Sequence, residues 1–506
     1  MRNQFLIIAS TLLIATITLW FFNFLPLGVA IPILIICLLG FRDAFQKKHT
    51  ILRNFPLLGH FRYLFESVSP EIQQYFIERN TDGRPFSRNY RSLVYQRAKN
   101  VNDTSPFGTQ LELNSSNYEG LRHSIYAKSV QHEFPRLRVG GTECKKPYEA
   151  SILNISAMSF GSLSANAIMA LNAAASKGGF YQNTGEGGLS PYHLKNSGDI
   201  VWQIGTAYFG CRTKEGGFDP EEFKKKAQHD QVKMIEIKLS QGAKPGHGGV
   251  LPASKNSPEI ANIRGIEPHT EVHSPPGHSH FSDAKGLLEF IKELRELSGG
   301  KPIGFKLCLG NTGEFDELCQ EMVNTGIKPD FITVDGAEGG TGAAPLEFSD
   351  SVGLPLRPAL IYVHENLQKY KIRKEIKLIA SGKIISSQSI IKMLALGADF
   401  CNSARAFMFS VGCIQALRCN TNACPTGVAT QNKNLQKGLV VKEKSERAYN
   451  FHRNTVKATM DMLAACGLTS IDDITMDIFL KGNEFVSLEN DYFPKKMEDE
   501  IKRDLH

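Results

Sequence analysis

Several features are missing from this 506-residue chain, and each absence narrows its function. No dense basic stripe with interleaved aromatics occurs, so the net charge of +7 does not point to nucleic acid. No GxGxxG fingerprint occurs either, so a nicotinamide-binding domain of that type is not expected. The ten cysteines show no disulfide-like spacing. Seven of them (Cys37, Cys144, Cys211, Cys308, Cys319, Cys401 and Cys466) are scattered, which suits reduced thiols in a compartment that is, or faces, the cytosol. Between Arg2 and Arg42 there is no charged side chain at all.

That uncharged stretch predicts a membrane anchor over residues 1–42. Phe5 to Phe22 is long enough to span a bilayer as a helix, Asn23 to Gly28 reads as a break, and Val29 to Phe41 is a second apolar run. Arg2 precedes the first run, and Arg42, Lys47, Lys48 and Arg53 follow the second. A two-span hairpin would therefore keep both ends in the cytoplasm. A cleaved signal peptide and a single span with an interfacial segment are the alternatives; the first lacks a small-residue cleavage site. Residues 43–145 carry too many aromatics for a disordered linker and read as an extension that packs on the catalytic domain.

Three further cysteines lie close together, in Cys413-Ile-Gln-Ala-Leu-Arg-Cys419-Asn-Thr-Asn-Ala-Cys424-Pro425. The spacing fits neither paired zinc ligands nor a thioredoxin-type redox pair. It suits an iron–sulfur cluster on one loop, and with no fourth cysteine nearby a three-iron cluster is favoured over a cubane. The plain alternative is three buried thiols in a helix and its following loop.

From residue 151 onward, apolar runs alternate with helical patterns. The expected strands are Ser151–Met158, Gly179–Thr184, Ile200–Gly205, Met234–Leu239, Ile303–Leu309, Phe331–Gly336, Ile376–Gly382 and Phe400–Arg405. The expected helices include 164–176, 220–228, 282–297 and 386–396, with Ser282 and Ser386 as N-caps. This predicts an α/β fold, a (β/α)₈ TIM barrel over 146–440, with a doubly wound open sheet as the competing architecture and a helical tail over 441–506. Glycine-rich loops follow most of the strands and contain Met158, Ser159, Ser162, Lys238, Gln241, Asp335, Gly339, Gly340, Thr341, Gly382, Lys383 and Arg405. Backbone N–H groups there can approach an anion, so a phosphorylated cofactor at the barrel mouth is expected. FMN fits best, because a flavin beside an iron–sulfur cluster splits two-electron from one-electron transfer.

These segments, above all Cys424-Pro-Thr-Gly-Val-Ala-Thr-Gln431 with the cysteines before it, resemble the FMN-binding synthase domain of glutamate synthase. The similarity covers about residues 110 to 480 and is nearest to stand-alone, membrane-anchored bacterial members of that family. The resemblance implies FMN and a [3Fe-4S] cluster held by Cys413, Cys419 and Cys424. It also implies reduction of an imine, made from a 2-oxo acid of the 2-oxoglutarate type and ammonia or an amine, to an amino acid. By the same resemblance Ser159, Lys238, Gly340, Gly382 and Arg405 lie around the flavin. Glu186, Lys244 and Arg264 fall in the substrate and ammonia region, with Glu186 accepting a proton or acting as a gate. Two departures stand out: Val250 replaces a glutamine that contacts the oxo acid, and His247 replaces an acidic residue. With no glutaminase domain expected, ammonia would arrive free, as an amine, or from a partner subunit. A ferredoxin or a membrane donor would supply electrons. The alternatives are an amino-acid or amine dehydrogenase feeding the membrane, and a non-enzymatic flavin/cluster relay. His269, His273, His278 and His280 raise a metal reading, but Pro275 and Pro276 favour an active-site loop near the flavin.

Overall fold

The computed structural model describes residues 2–101, 104–129 and 134–484 and contains two compact units, residues 1–88 and 89–506. In the second unit all eight expected strands are present. They are β1 (Leu153–Ile155), β2 (Gln182–Asn183), β3 (Ile200–Ile204), β4 (Val232–Lys238), β5 (Ile303–Leu307), β6 (Phe331–Asp335), β7 (Lys377–Ser381) and β8 (Phe400–Ser403). They pair in parallel in chain order, and β8 returns to β1 with Asn402 opposite Asn154, so the sheet is a closed barrel and not an open one.

Two strands are shorter than the sequence suggests. Ser151 belongs to a separate antiparallel pair, Arg136–Val139 with Tyr148–Ser151, so β1 starts later. Gly179 terminates the preceding helix in a left-handed conformation (φ 63°), which delays β2. Val139, Tyr148 and Ala150 of the antiparallel pair pack in one apolar cluster with Tyr181, Val201, Met234, Phe331, Ile379 and Phe400, at or near the starts of barrel strands. The pair thereby closes the N-terminal end, and chemistry is left to the C-terminal mouth.

The outer helices follow their strands: Ala165–Gly178, Pro220–Ala227, Ala284–Leu297, Thr312–Thr325, Leu356–Lys369 and Ser387–Ala395. Ser386 caps the last of these as expected, its hydroxyl accepting from Ser389 N–H. Ser282 does not cap its helix; the Asp283 carboxylate does, accepting from Gly286 N–H at 2.7 Å. A carboxylate there also meets the positive end of the helix dipole, which a hydroxyl does less well. After β8 the short helix Arg405–Ser410 leads into the cysteine loop. The chain then returns as Val441–Ala465, which packs against both Ala165–Gly178 and Ser387–Ala395 and completes the ring.

Inside the barrel, Glu236 on β4 is buried and accepts three hydrogen bonds. They come from Asn183 of β2 (2.8 Å), Gln203 of β3 (2.6 Å) and Thr333 of β6 (2.6 Å). Four strands are thus joined through one carboxylate.

The first unit begins with helices Arg2–Phe21 and Leu27–Phe45, of 20 and 19 residues. Phe5 lies against Gly40 and edge-on to Phe41 at 6.4 Å, so the start of one helix meets the end of the other as a hairpin. The second helix is longer than its apolar run because Arg42 and Asp43 extend it. Both helices are long and apolar enough to cross a bilayer.

Glu236→Ala would leave three buried polar side chains without their acceptor. The expected loss is about 3 kcal/mol or more of unfolding free energy, read from the midpoint of denaturant unfolding.

Candidate functional site

Strand parity decides which side chains reach the barrel mouth. Lys238 ends β4 two residues after inward-facing Glu236, and in register it lies beside Lys306 of β5, itself beside Thr333 of β6. Lys238 Nζ lies 2.8 Å from Glu186 Oε1, from the loop after β2, with both side chains largely buried. Burial alone would raise the Glu186 carboxyl; the cations of Lys238, Lys244 and Arg264 reverse this and hold it at about 2. Burial likewise pushes the Lys238 ammonium below its ordinary value, against the pull of Glu186. Lys244 is lowered to about 8 by burial and donates to Ala343 O at 3.0 Å. Arg264, lowered by burial to about 10, donates to Phe160 O at 3.2 Å and lies over the Phe209 ring. Three cations thus converge on one carboxylate, an excess of positive charge suited to a small polyanion.

The neighbouring glycines make this possible. A Cβ on Gly187 would lie 2.9 Å from Arg264 Nη2 and 2.8 Å from Ser159 Cβ. Val250 opens a two-residue strand paired with Val272–His273, directly after Gly249, whose own Cβ position lies 2.6 Å from Glu186 Oε1. His247 packs edge-on against Phe348 at 5.0 Å.

A second group of expected residues forms one fabric across the mouth. Asp335 accepts from Gly242 N–H at 2.8 Å, Gln241 reaches Gly340 O at 3.5 Å, and Arg405 donates to Glu338 O at 2.7 Å. Gly340 lies against Arg405, Gly339 lies near Asp335, and Thr341 donates to Ala343 O at 3.1 Å. Gly382 abuts Gly336, and Lys383 follows it in a left-handed conformation (φ 49°), which costs a non-glycine residue roughly 1–2 kcal/mol. Ser159 and Ser162 pair at 3.0 Å in the loop after β1, where Met158 N–H donates to Asn183 O at 3.4 Å.

The cysteine loop is tied to that first loop. Gln431 donates to Gly161 O (3.0 Å) and Leu163 O (2.8 Å), while its own N–H and the Thr430 hydroxyl bond to Asn422. Tyr95 donates to Cys413 O at 2.7 Å. Burial raises the Cys413 thiol to about 12, with Cys419 and Cys424 adding to the rise, so the three sulfurs sense one another. At Cys424 burial is outweighed by the N–H groups of Ala429, Thr426 and Val428 and the Thr426 hydroxyl, and its thiol is lowered. Three thiols on one loop with N–H donors around one sulfur match the chemistry of a thiolate-held cluster. Among the described residues, no three His, Cys, Asp or Glu side chains close around a single metal ion. The four histidines disperse: His278 bonds Lys238 O, His280 Glu293 and His273 Glu271, while His269 sits in a left-handed turn.

Two lysines escaped the sequence reading. Lys306 is 4 % exposed and stands opposite Lys238 in the strand register, so a second lysine lies at the mouth. A lysine inside Ile303-Gly-Phe-Lys-Leu307, otherwise apolar, was the available signal. Lys255 is 3 % exposed and donates to Ser162 O (2.7 Å), Cys419 O (3.1 Å) and Ala429 O (3.3 Å). It clamps the cysteine loop to the loop after β1, and its sequence context gave no hint of this.

A profile described as a conserved region in glutamate synthase matches residues 96–469. A glutamate synthase large subunit-like protein, YerD, of Bacillus subtilis is 40% identical over 87% of this chain and 91% of its own length. An archaeal NADPH glutamate synthase of Methanocaldococcus jannaschii is 32% identical over 69% of this chain and 67% of its own. Among solved structures, a flavocytochrome b2 mutant with pyruvate bound covers 85% of this chain and 88% of its own at a TM-score of 0.43 and 12% identity, too remote to inform the chemistry.

Glu186→Gln would strand the Lys238 ammonium in a buried site, at an expected cost of about 3–5 kcal/mol in chemical unfolding near neutral pH. The sign follows from the depressed carboxyl: the stabilisation is complete above the ordinary value of 4.5 and is lost as pH falls towards about 2. Lys255→Met should speed amide exchange in residues 159–163 and 412–431 while leaving the rest of the barrel unchanged, as measured by mass spectrometry.

Proposed function

Since the chain belongs to the glutamate synthase family, we propose that it is a membrane-anchored FMN and [3Fe-4S] oxidoreductase that reduces the imine of a 2-oxo acid to an amino acid. The observation that carries this reading is the convergence of Lys238, Lys244 and Arg264 on Glu186 at the barrel mouth. FMN, once bound, would supply the hydride, and the cluster would pass single electrons to it from a ferredoxin or a membrane donor.

The fit to FMN rests on the chain's own residues. Lys238, paired with Glu186 and with Lys306 beside it in register, would present positive charge where electron density on a reduced ring would need it. Gly339, Gly340, Gly382, Lys383 and Arg405, with Met158, Ser159, Ser162, Gln241, Asp335 and Thr341, line the remaining cradle. Cys413, Cys419 and Cys424 would hold the cluster, with Lys255 fixing their loop.

Lys244 and Arg264 would bind the carboxylates of the oxo acid. Glu186, with its carboxyl near 2, is a poor base at neutral pH. Its role in this reading is to keep Lys238 protonated and to fix Arg264. Lys244, near 8, is the group best matched to exchange a proton with the imine nitrogen. The two helices Arg2–Phe21 and Leu27–Phe45 serve as the membrane hairpin, and the catalytic unit lies on the cytoplasmic side. Val250, next to the ionic group, sets an apolar wall, and the nitrogen comes as ammonia or an amine.

The test is anaerobic. The dithionite-reduced protein in detergent should reoxidise its flavin on mixing with 2-oxoglutarate and ammonium, and glutamate should appear. No reoxidation with FMN and iron both bound would sink the 2-oxoglutarate reading. Because Lys244 loses its proton above about 8, KM for the oxo acid should rise towards tenfold per pH unit beyond that point. Lys244→Arg should remove that alkaline rise, since Arg264 and the new guanidinium stay charged there.

A further inference from the structure

The amphipathic helix Gly59–Ile72 leaves its apolar face uncovered. In Gly59–Ile72 the helical period gathers Phe61, Leu64, Phe65, Val68 and Ile72 on one side, with the N-cap Leu58 in line with them. In a protein surrounded by water that side would turn inward. Here it turns outward, with Phe61 57 % and Phe65 62 % exposed. The contacts that hold the helix to its own unit come from the polar side. His60 Nε2 lies 2.8 Å from Asp43 Oδ2, the same oxygen accepts from Leu57 N–H at 3.1 Å, and the Tyr63 ring meets His49 edge-on at 5.9 Å. Asp43 sits at the end of the second apolar helix and is 3 % exposed, so the helix is pinned directly to the end of the hairpin. The apolar surface continues beyond it through Tyr75, Phe76 and Ile77, all exposed.

A surface of this kind calls for an occupant, since apolar area left in water forgoes about 25 cal/mol per Å². Two observations favour lipid. The helix is continuous in sequence with the apolar hairpin and pinned to its end. Between Asp43 and Glu66 the chain carries Lys47, Lys48, Arg53 and Arg62 and no acidic residue, a charge pattern complementary to anionic headgroups.

We propose that Gly59–Ile72 lies in the plane of the bilayer interface, with Phe61 and Phe65 at the boundary of the acyl chains, as a third membrane contact beside the hairpin. This rests on reading Arg2–Phe21 and Leu27–Phe45 as membrane spans.

Tryptophan quenching separates the two ideas, because the chain has only two tryptophans. Trp20 lies in the first apolar helix and Trp202 is fully buried in the barrel. The full chain would be reconstituted into phosphatidylcholine vesicles containing phosphatidylglycerol, with the lipid brominated at a shallow or a deep acyl position. The wild type should lose its Trp20 emission to brominated lipid. In the Trp20→Phe background, Phe65→Trp should give a blue-shifted emission quenched more strongly by the shallow than by the deep label, while Glu66→Trp, on the polar side, should escape quenching. If Trp20 is quenched but the tryptophan at 65 is not, the interfacial helix is overturned and the anchor stands. A blue-shifted yet unquenched emission at 65 would assign the face to protein, a second copy or the chain's own catalytic unit, and also overturns the proposal. If neither position is quenched, the anchor itself fails and the proposal falls with it.

Discussion

The ion pair between Lys238 and Glu186 is the constraint on which the barrel mouth depends. An ammonium at the end of a strand buried on all sides would be expelled or neutralised without a counter-charge. Glu186 supplies one at 2.8 Å, and it can come so close because Gly205 and Gly249 carry no side chain against it. Once that carboxylate is fixed, Lys244 and Arg264 can be buried near it as well. The arrangement sets three cations around one carboxylate, a surplus of two positive charges at the mouth.

Deeper in the barrel the same logic runs with neutral partners. Glu236 is satisfied by an amide from each of two strands and a hydroxyl from a third. The two carboxylates thus sit in successive layers, one tied to its surroundings by neutral donors and the other by ammonium and guanidinium. The first suits a structural joint; the second leaves a field directed at the mouth.

Much of this was legible in the sequence. Eight apolar runs separated by helical patterns gave the barrel, because strands buried on both faces leave little else to read. The boundaries were less legible: β1 and β2 were shortened by an antiparallel pair and a left-handed glycine whose effects are tertiary. Asp283 displaced Ser282 as a cap for a local reason, the better acceptor standing one residue later. In the site, Glu186, Lys238, Lys244 and Arg264 were found through motif resemblance and do come together. Lys306 could have been found from its oddity within an apolar strand. Lys255 could not, since its three acceptors are backbone carbonyls from loops 93, 164 and 174 residues away along the chain.

The way the outer ring closes has a consequence in time. Helix Ala165–Gly178 is covered by Val441–Ala465, which the ribosome makes only after every strand of the barrel and the whole cysteine loop. At ordinary elongation rates that delay is on the order of tens of seconds. Throughout it the earlier helix, six of whose residues are alanine, waits with its outer side bare. The loop that carries the three cysteines must therefore find its place on the barrel before, or together with, Val441–Ala465.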